Sequence, residues 1–538
     1  MKTTARITAV LFVFASMPAL AQDLKWGPHI DLEAKPGSKR SLGEADLFVP
    51  LLQNADTLLF GSFRARMDDQ ESSEGNYGLG LRHMLGSGWN LGAYGYFDRR
   101  RTEYGNHFHQ ATFGLEALSQ DWDLRANYYA PVGRRSHRID SLNTATISGA
   151  TVMVRGGEER SLGGFDAEIG WRVPLFDAKA EQQFRVYGGG YRFSESGVPD
   201  ISGPRARAEL TFDSVPGLWE GSRFSLGAEW QHDEPRGSQG FLTARLRIPL
   251  QVYGKPASRL TPMERRMADP VMRDVDVVTR AGSFGAPEVA TQTTGGQTLA
   301  VVNSSLTAGT ALAGEVTAAG ANSTVILVGS FNTGTNAVTL NSGQTVMGAG
   351  TLGVRTATGR TASLTTASAT INGQVAAGVA AAVSMGSNST LSGMTVTNTT
   401  AGGSGASGVV IDGGVSGATI ANSTLTGISN GFDAAGILLL NGTNITIRNN
   451  TITGTSNGGT NAIGLNVSPT ATSSALLAGN TVSASGGTTN LHTAVVSNTG
   501  AVTILGGSTG NVIGSGTCFS SGGSTTGSIS YNGGSTCP

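Results

Sequence analysis

Residues 89–98 read Trp89-Asn90-Leu91-Gly92-Ala93-Tyr94-Gly95-Tyr96-Phe97-Asp98. In an extended chain successive side chains point to opposite faces. Trp89, Leu91, Ala93 and Phe97 therefore share one face, and Asn90, Tyr94 and Asp98 the other. The same division recurs where His109, Ala111, Phe113 and Leu115 oppose Gln110, Thr112 and Glu116. It returns where Phe165, Ala167, Ile169 and Trp171 oppose Asp166, Glu168 and Arg172, and where Phe224, Leu226, Ala228 and Trp230 oppose Arg223, Glu229 and Gln231. Strands with one oily and one wet face build either a transmembrane barrel with a polar lumen or a soluble sandwich. Period alone leaves both open.

Chain topology favours the barrel. Segments of this kind, each ended by Gly, Asp, Ser or Pro, are expected at 26–35, 42–51, 57–67, 76–85, 89–98, 107–117, 122–130, 164–173, 182–193, 203–213, 222–231 and 240–249. Their number is even, as a closed antiparallel barrel needs. If the first strand runs outward, Leu85–Trp89 and Ala117–Trp122 are periplasmic turns, and Met67–Asn76, Asp98–His107 and Ala130–Gly164 are outer loops. Residues 145–154 could add a strand, but a single addition breaks the even count, so they are assigned to the long outer loop.

The order Gly78-Leu79-Gly80-Leu81-Arg82-His83, then 89–98, then Phe113-Gly114-Leu115-Glu116, then Ala126-Asn127-Tyr128-Tyr129-Ala130-Pro131 resembles the barrel of the intimin/invasin family, the inverse autotransporters. The resemblance covers roughly residues 24–280. It implies a twelve-stranded outer-membrane barrel that passes a C-terminal passenger through its own pore. It further implies contact with outer-membrane lipid, insertion by the barrel-assembly machinery and escort by periplasmic chaperones. The periplasmic glycan-binding module often found in that family is not expected, because too few residues separate Ala21 from the first strand.

The flanks agree with export. Lys2 and Arg6 precede an apolar run from Ile7 to Leu20 that closes on Ala19-Leu20-Ala21, the pattern of a cleaved signal peptide over 1–21. That run is too short to span a bilayer as a helix. The barrel is assigned to 22–254 and a pore-traversing linker to 255–280. Thr261-Pro262-Met263-Glu264 has the form of a capping box with proline at the first helical position, predicting a helix through about Ala268 that Pro270 stops. Val271 to Val278 then alternates as an extended segment. Thr261, Pro262, Glu264, Arg265, Arg266, Arg273, Asp274 and Asp276 are the linker residues expected to meet a charged lumen. The lumen candidates are Glu116, Arg125, Glu168, Arg172, Arg205, Arg207, Glu209, Arg245 and Arg247. The alternative is a solvated interdomain linker.

Charge divides the chain. The formal net charge is -1, yet beyond Arg280 the acids are Glu288, Glu315, Asp412 and Asp433, the bases Arg355, Arg360 and Arg448 besides His492, and there is no lysine. Nothing in this balance points to nucleic acid. Residues 281–538 carry Thr395-Val396-Thr397, Thr424-Leu425-Thr426, Thr451-Ile452-Thr453 and Thr481-Val482-Ser483 at spacings of 29, 27 and 30 residues. Leu391, Ile420, Ile447 and Leu477 precede each central residue by five. Thr345-Val346-Met347 and Thr370-Ile371-Asn372 extend the series backwards. A repeat of this length with glycine-rich corners is a solenoid signal, and stacking aligns Val396, Leu425, Ile452 and Val482 in one interior column. Asn449 and Asn450 are expected at turns. The stretch resembles right-handed parallel β-helices of the pectate-lyase type, unlike the immunoglobulin-like passengers of intimin and invasin. The fold class expected is therefore all-β, a twelve-stranded transmembrane β-barrel followed by a right-handed parallel β-helix. Cys518 and Cys537 are expected to close a small disulfide loop, with Tyr531 between them, over the distal end.

Two function classes are compatible with this reading. Surface display of an adhesin or biofilm factor, whose ligand is a carbohydrate or a host or self protein, suits a chain that threads a pore with little charge. A polysaccharide lyase would need clustered carboxylates and a base, for which only Asp412, Asp433 and Arg448 are available. His107 and His109 share a strand face and would need a third ligand to hold a metal. No catalytic residue, cofactor or metal is assigned.

Overall fold

The computed structural model describes residues 25–250 apart from 214 and 216, and residues 260–537 apart from 275, 377–378, 402–403, 470, 489–490, 494–499, 519–522 and 533–535. The predicted signal peptide lies outside the described residues. The chain divides into two compact units, one of residues up to 137 with 159–281, the other of 138–158 with 282 onward.

In the first unit, twelve described strands close into an antiparallel barrel. They are His29–Lys35, Leu42–Gln53, Thr57–Asp68, Ser73–Met84, Trp89–Arg101, His107–Ser119, Trp122–Val132, Gly163–Val173, Gln182–Glu195, Val198–Asp213, Arg223–Asp233 and Gly237–Pro249. Closure comes from the first strand pairing with the last, His29 opposite Pro249 and Ala34 opposite Ala244. No open edge is left, which a bilayer requires because lipid satisfies no backbone polar group. The two faces separate as the period demands: Phe113 and Leu115 are 59% and 66% exposed, while their neighbours Gln110 and Thr112 are 0%. Leu79, Leu81, Tyr128, Ile169 and Leu242 continue the outer band. A soluble monomer rarely exposes so continuous an apolar surface. The sandwich alternative fails here, because the aromatic faces point away from the interior.

Inward glycines make room for inward rings. A Cβ on Gly78 would stand 2.2 Å from the Tyr96 ring, and one on Gly114 2.1 Å from the Tyr94 ring. A Cβ on Gly80 would likewise stand 2.3 Å from the Phe60 ring, so inward rings account for glycine at 78, 80 and 114.

Loop lengths depart from expectation. Strand pairing runs further than expected, to Met67 opposite Ser73 and Arg101 opposite His107, so 69–72 and 102–106 are short, whereas 174–181 on the opposite end is longer than the turns expected there. The asymmetry rests on one excursion, 133–162. Within it, residues 145–154 are no irregular loop. Strands Thr144–Ser148 and Thr151–Arg155 form a hairpin that takes no part in the barrel sheet, so the barrel count is unaffected.

The second unit is a parallel β-solenoid whose coils contribute to three sheets. One sheet stacks Val346, Leu391, Ile420, Ile447 and Leu477 in register. A second stacks Ile371, Val396, Leu425, Ile452 and Val482. A third, which the repeat did not reveal, stacks Val383, Val409, Ile437 and Leu465. These residues form one buried core. Val346 thus belongs with Leu391 and not, as the series implied, with Ile371. The hairpin of Gly350–Thr356 and Thr361–Thr366 is inserted into that coil and stretches the spacing. At one corner the left-handed position is filled by Gly393, Asn422, Asn449 and Gly479, where only glycine and asparagine are tolerated. The next residue turns inward. Asn450, Asn480 and Asn511 donate from Nδ2 to the carbonyls of Ile420, Ile447 and Leu477 at 3.0, 2.8 and 2.7 Å, tying coil to coil.

A solenoid end exposes its core. Helix Leu312–Ala318 covers the proximal one, with Leu312 and Val316 fully buried. Near the distal end Tyr531 is buried and Cys518 packs against the core. The side chain of Cys537 lies outside the described residues, as does its predicted pairing.

Because Ile452 is fully buried between coils, Ile452→Ala should destabilise the solenoid by about 2–5 kcal/mol. The neighbouring exposed Thr451→Ala should change it by less than about 0.5 kcal/mol. Protease resistance of the full-length protein across a urea series measures both.

Candidate functional site

The barrel interior is occupied by the chain's own linker, residues 260–278. Strand Gly237–Pro249 returns to the end where the barrel began, and Leu250 N donates to the Pro28 carbonyl at 2.9 Å. Helix Pro262–Arg266 stands at that end. Thr261 and Glu264 form the capping box, Trp26 Nε1 donates to the Glu264 carbonyl at 2.7 Å, and Lys25 pairs with the Glu264 carboxylate at 2.6 Å. The helix is shorter than predicted. After Arg266 the bonds tighten to three-residue spacing through Asp269, and Pro270, without an N–H, comes next.

Beyond Pro270 the described residues form no strand before Thr279–Gly282, and the chain bends at Arg273 and Asp276. The wall serves it instead with side chains. Arg82 donates to the carbonyls of Met267 and Asp269 at 2.8 and 2.7 Å, Arg64 to Val271 at 3.1 Å, and Asn127 to Met272 at 3.2 Å. Arg100 donates to the Val277 carbonyl at 2.8 Å, and Val277 N donates to Glu74 at 2.9 Å. A buried backbone must have its polar groups paired, and here the pairing comes from long wall residues. The order of these partners, from Trp26 and Asn90, whose Nδ2 donates to the Met263 carbonyl at 3.1 Å, to Glu74 and Arg100 at the other end, traces passage through the lumen.

Ion pairs fix the register. Arg273 is fully buried, meets Asp98 at 3.0 Å and lies 4.4 Å from the centre of the Tyr96 ring. Asp98 also accepts from Asn76 at 2.8 Å and Thr112 at 2.6 Å. Asp274 N donates to the Tyr129 hydroxyl at 2.6 Å. Asp276 is clasped by Arg40 and Arg66. Arg266 meets Asp123 at 2.7 Å, Asp269 meets Arg223 at 2.6 Å, and Arg265 lies 3.7 Å from Asp213. Buried charges are tolerated only when paired in this way.

The wall residues expected to meet the linker are placed differently. Arg205 pairs with Asp166 at 2.9 Å, and Arg207 with Glu168 at 2.8 Å and Glu209 at 3.3 Å. Arg245 pairs with Glu33 and lies 3.9 Å from Glu209, and Arg247 pairs with Asp31 at 2.9 Å. The partners of all five are wall residues. A cavity of about 390 Å³ lies between the linker and the side lined by Arg205, Arg207 and Arg245. Glu116 meets Arg82 at 2.5 Å, Arg125 lies between Asp123 and Glu168 at 3.0 and 3.3 Å, and Arg172 pairs with Asp121 of the adjoining turn at 2.7 Å. Sequence reasoning does not single out Asp98, Asp123, Arg40, Arg66, Arg82 and Arg223. Their alternation marks their face, but not which of them meets the linker.

The remaining candidates do not converge. Asp412 follows strand Ala406–Ile411, and Asp433 precedes strand Ala434–Leu439, with Ala406 opposite Ala434. The two carboxylates therefore stand at opposite ends of a sheet, about 20 Å apart at roughly 3.3 Å per residue. Asn441 donates to Asp412 at 3.1 Å, and Asn461 donates twice to Asp433 at 2.8 Å. His109 stacks on Phe97 at 5.5 Å. Among the described residues no group of three or more His, Cys, Asp or Glu is suited to a metal. Burial pushes the Tyr531 phenol up to about 12, so it stays neutral.

Arg273→Ala leaves Asp98 without its cation inside the lumen and should cost the first unit about 3–5 kcal/mol. Arg192→Ala breaks an exposed pair with Asp200 and should cost less than about 1 kcal/mol. Urea midpoints of the heat-modifiable barrel in detergent compare the two.

Residues 22–187 match the family model described as the inverse autotransporter β-domain. No curated protein matches the chain. Among solved structures, a protein from a study of in-meso crystallization of membrane proteins is 14% identical over 48% of this chain and 100% of its own, with a TM-score of 0.35. An outer-membrane channel of Pseudomonas putida is 9% identical over 43% of this chain and 98% of its own, with a TM-score of 0.30. The outer-membrane protein OprD of Pseudomonas aeruginosa is 12% identical over 41% of this chain and 65% of its own, with a TM-score of 0.23. At such TM-scores these likenesses do not bear on the fold. The matched β-domain, the closed barrel and its apolar outer band place the chain in the outer membrane, anchored there with a passenger to display.

Proposed function

We propose that this protein is an inverse autotransporter of the intimin/invasin kind whose solenoid, residues 281–538, is displayed for adhesion or biofilm formation. The observation that carries this reading is the route of residues 260–278 through the lumen from the end where the barrel starts. An even-stranded barrel returns its chain to the starting side, and only a segment passing back through the pore can deliver the solenoid to the other. After export the linker remains as a plug, held by Arg273, Asp276 and Asp269. The barrel-assembly machinery and periplasmic chaperones bring the barrel to the membrane. The passenger, a right-handed helix of the pectate-lyase kind closed by a Cys518–Cys537 disulfide, offers its ligand, a carbohydrate or protein, long rows of threonine and asparagine. The lyase alternative would need a site other than one shared by Asp412 and Asp433, which stand at opposite sheet ends.

A tag inserted after Gly507 should be reached by antibody on intact cells when the barrel is present and not when residues 22–254 are deleted. A tag that stays hidden on cells shown to insert the full-length protein's barrel would overturn display. Deleting residues 255–280 should raise the single-channel conductance of the barrel in planar bilayers. An unchanged conductance would return the linker to an ordinary interdomain role.

A further inference from the structure

The hairpin 144–155 lies, in chain order, between barrel strands Trp122–Val132 and Gly163–Val173, yet it belongs to the compact unit of the passenger. Its strand Thr151–Arg155 pairs antiparallel with Pro287–Thr293, the first passenger strand after the linker: Val152 opposite Ala290, Val154 opposite Glu288. Val152 and Val154 are 1% and 0% exposed. They close a second core with Ala290, Ile326, Met347, Val354 and Leu364, separate from the solenoid interior. Val325 and Leu327 point into the solenoid, so Ile326 lies on the outer face of the first coils. Backbone and side-chain bonds fasten the rim. Gly285 N donates to the Gly156 carbonyl at 2.8 Å, Asn143 Nδ2 to the Thr361 carbonyl at 2.9 Å, and Asn303 Nδ2 to the Gly149 carbonyl at 3.1 Å.

We propose that this hairpin is the template on which the passenger begins to fold. A coil of a solenoid has no neighbour to stack on until one exists, and parallel pairing between distant residues is slow to nucleate. The hairpin removes both obstacles. It is closed locally by a turn at Gly149, whose φ is 61°, and it presents an edge strand with two valines that, apart from Ala145 and Ile147 of the hairpin itself, find their cover in passenger residues. Residues 287–290 begin the first passenger strand after the linker, and they need only add antiparallel to an edge already formed. The partner strand is thus supplied by the anchor, and folding starts at the membrane-proximal end. An isolated two-stranded hairpin is marginal, so the dependence is mutual. This inference rests on the display reading above.

The test uses the full-length protein in cells. Newly made chains are followed after a pulse, and the time at which the surface passenger becomes protease-resistant is recorded. Two variants are compared with wild type: the double substitution Val152→Ser with Val154→Ser, and replacement of 144–155 by a Gly/Ser segment of equal length. Heat-modifiable mobility reports barrel folding, and the Gly507 tag reports surface arrival. The expected result is a normal barrel with resistance delayed at least tenfold. Resistance at the wild-type rate in both variants, with or without a lower final stability, overturns the proposal. Should the replacement variant fail to form a barrel, the double substitution decides. A wild-type passenger that never reaches the surface would refute display itself, an outcome distinct from an unaltered folding rate.

Discussion

Lipid offers no hydrogen bond, and the rest of the structure depends on that constraint. Every backbone N–H and C=O within the bilayer must find a partner in the protein. Twelve strands meet the demand by closing on themselves, His29–Lys35 against Gly237–Pro249. Closure then divides the side chains by sign of surroundings, Phe113 and Leu115 to lipid and Thr112 and Glu116 to the lumen. A lumen lined this way is charged, and charge away from bulk water has to be matched. The linker is both the remedy and the beneficiary. Its carbonyls at Met267, Asp269, Val271 and Val277 consume wall donors, and its ions Arg266, Arg273 and Asp276 are held by wall residues of opposite sign.

The solenoid answers a different constraint with the same backbone groups. Here the ladders run between coils, and each strand's partner is the equivalent residue one turn along. Its interior holds Leu, Ile and Val, and its polar reinforcement is the asparagine stack at one corner. Little charge is needed because neither element depends on it. The two ends of the stack are the exception, and the helix with Leu312 and Val316 closes the proximal one.

Much of this is legible along the chain because it is local. The alternation at 89–98 assigns faces whatever the neighbouring strand is, and the Thr-x-Thr repeat sets which residues stack. The capping box at Thr261 and Glu264 is formed by residues three apart. Less is legible where an insertion breaks a repeat. The hairpin 350–366 moves Val346 into the column of Leu391, and nothing in the local pattern announces it. Residues 145–154 mislead for a related reason: they alternate like a strand, but strand count assumes that every strand belongs to the same sheet.

By itself, then, the amino-acid order determined the elements, their faces and the division between a charged half and a neutral one, because period and propensity act within a few residues. Only the tertiary structure decided that Arg273 meets Asp98 while Arg205 meets Asp166, and that the hairpin in the barrel's loop completes the passenger. Those choices depend on which residues a closed ring and a stacked coil bring within a few ångströms. Every arginine of the wet face and of the linker satisfies the same pattern, and reach and register choose among them.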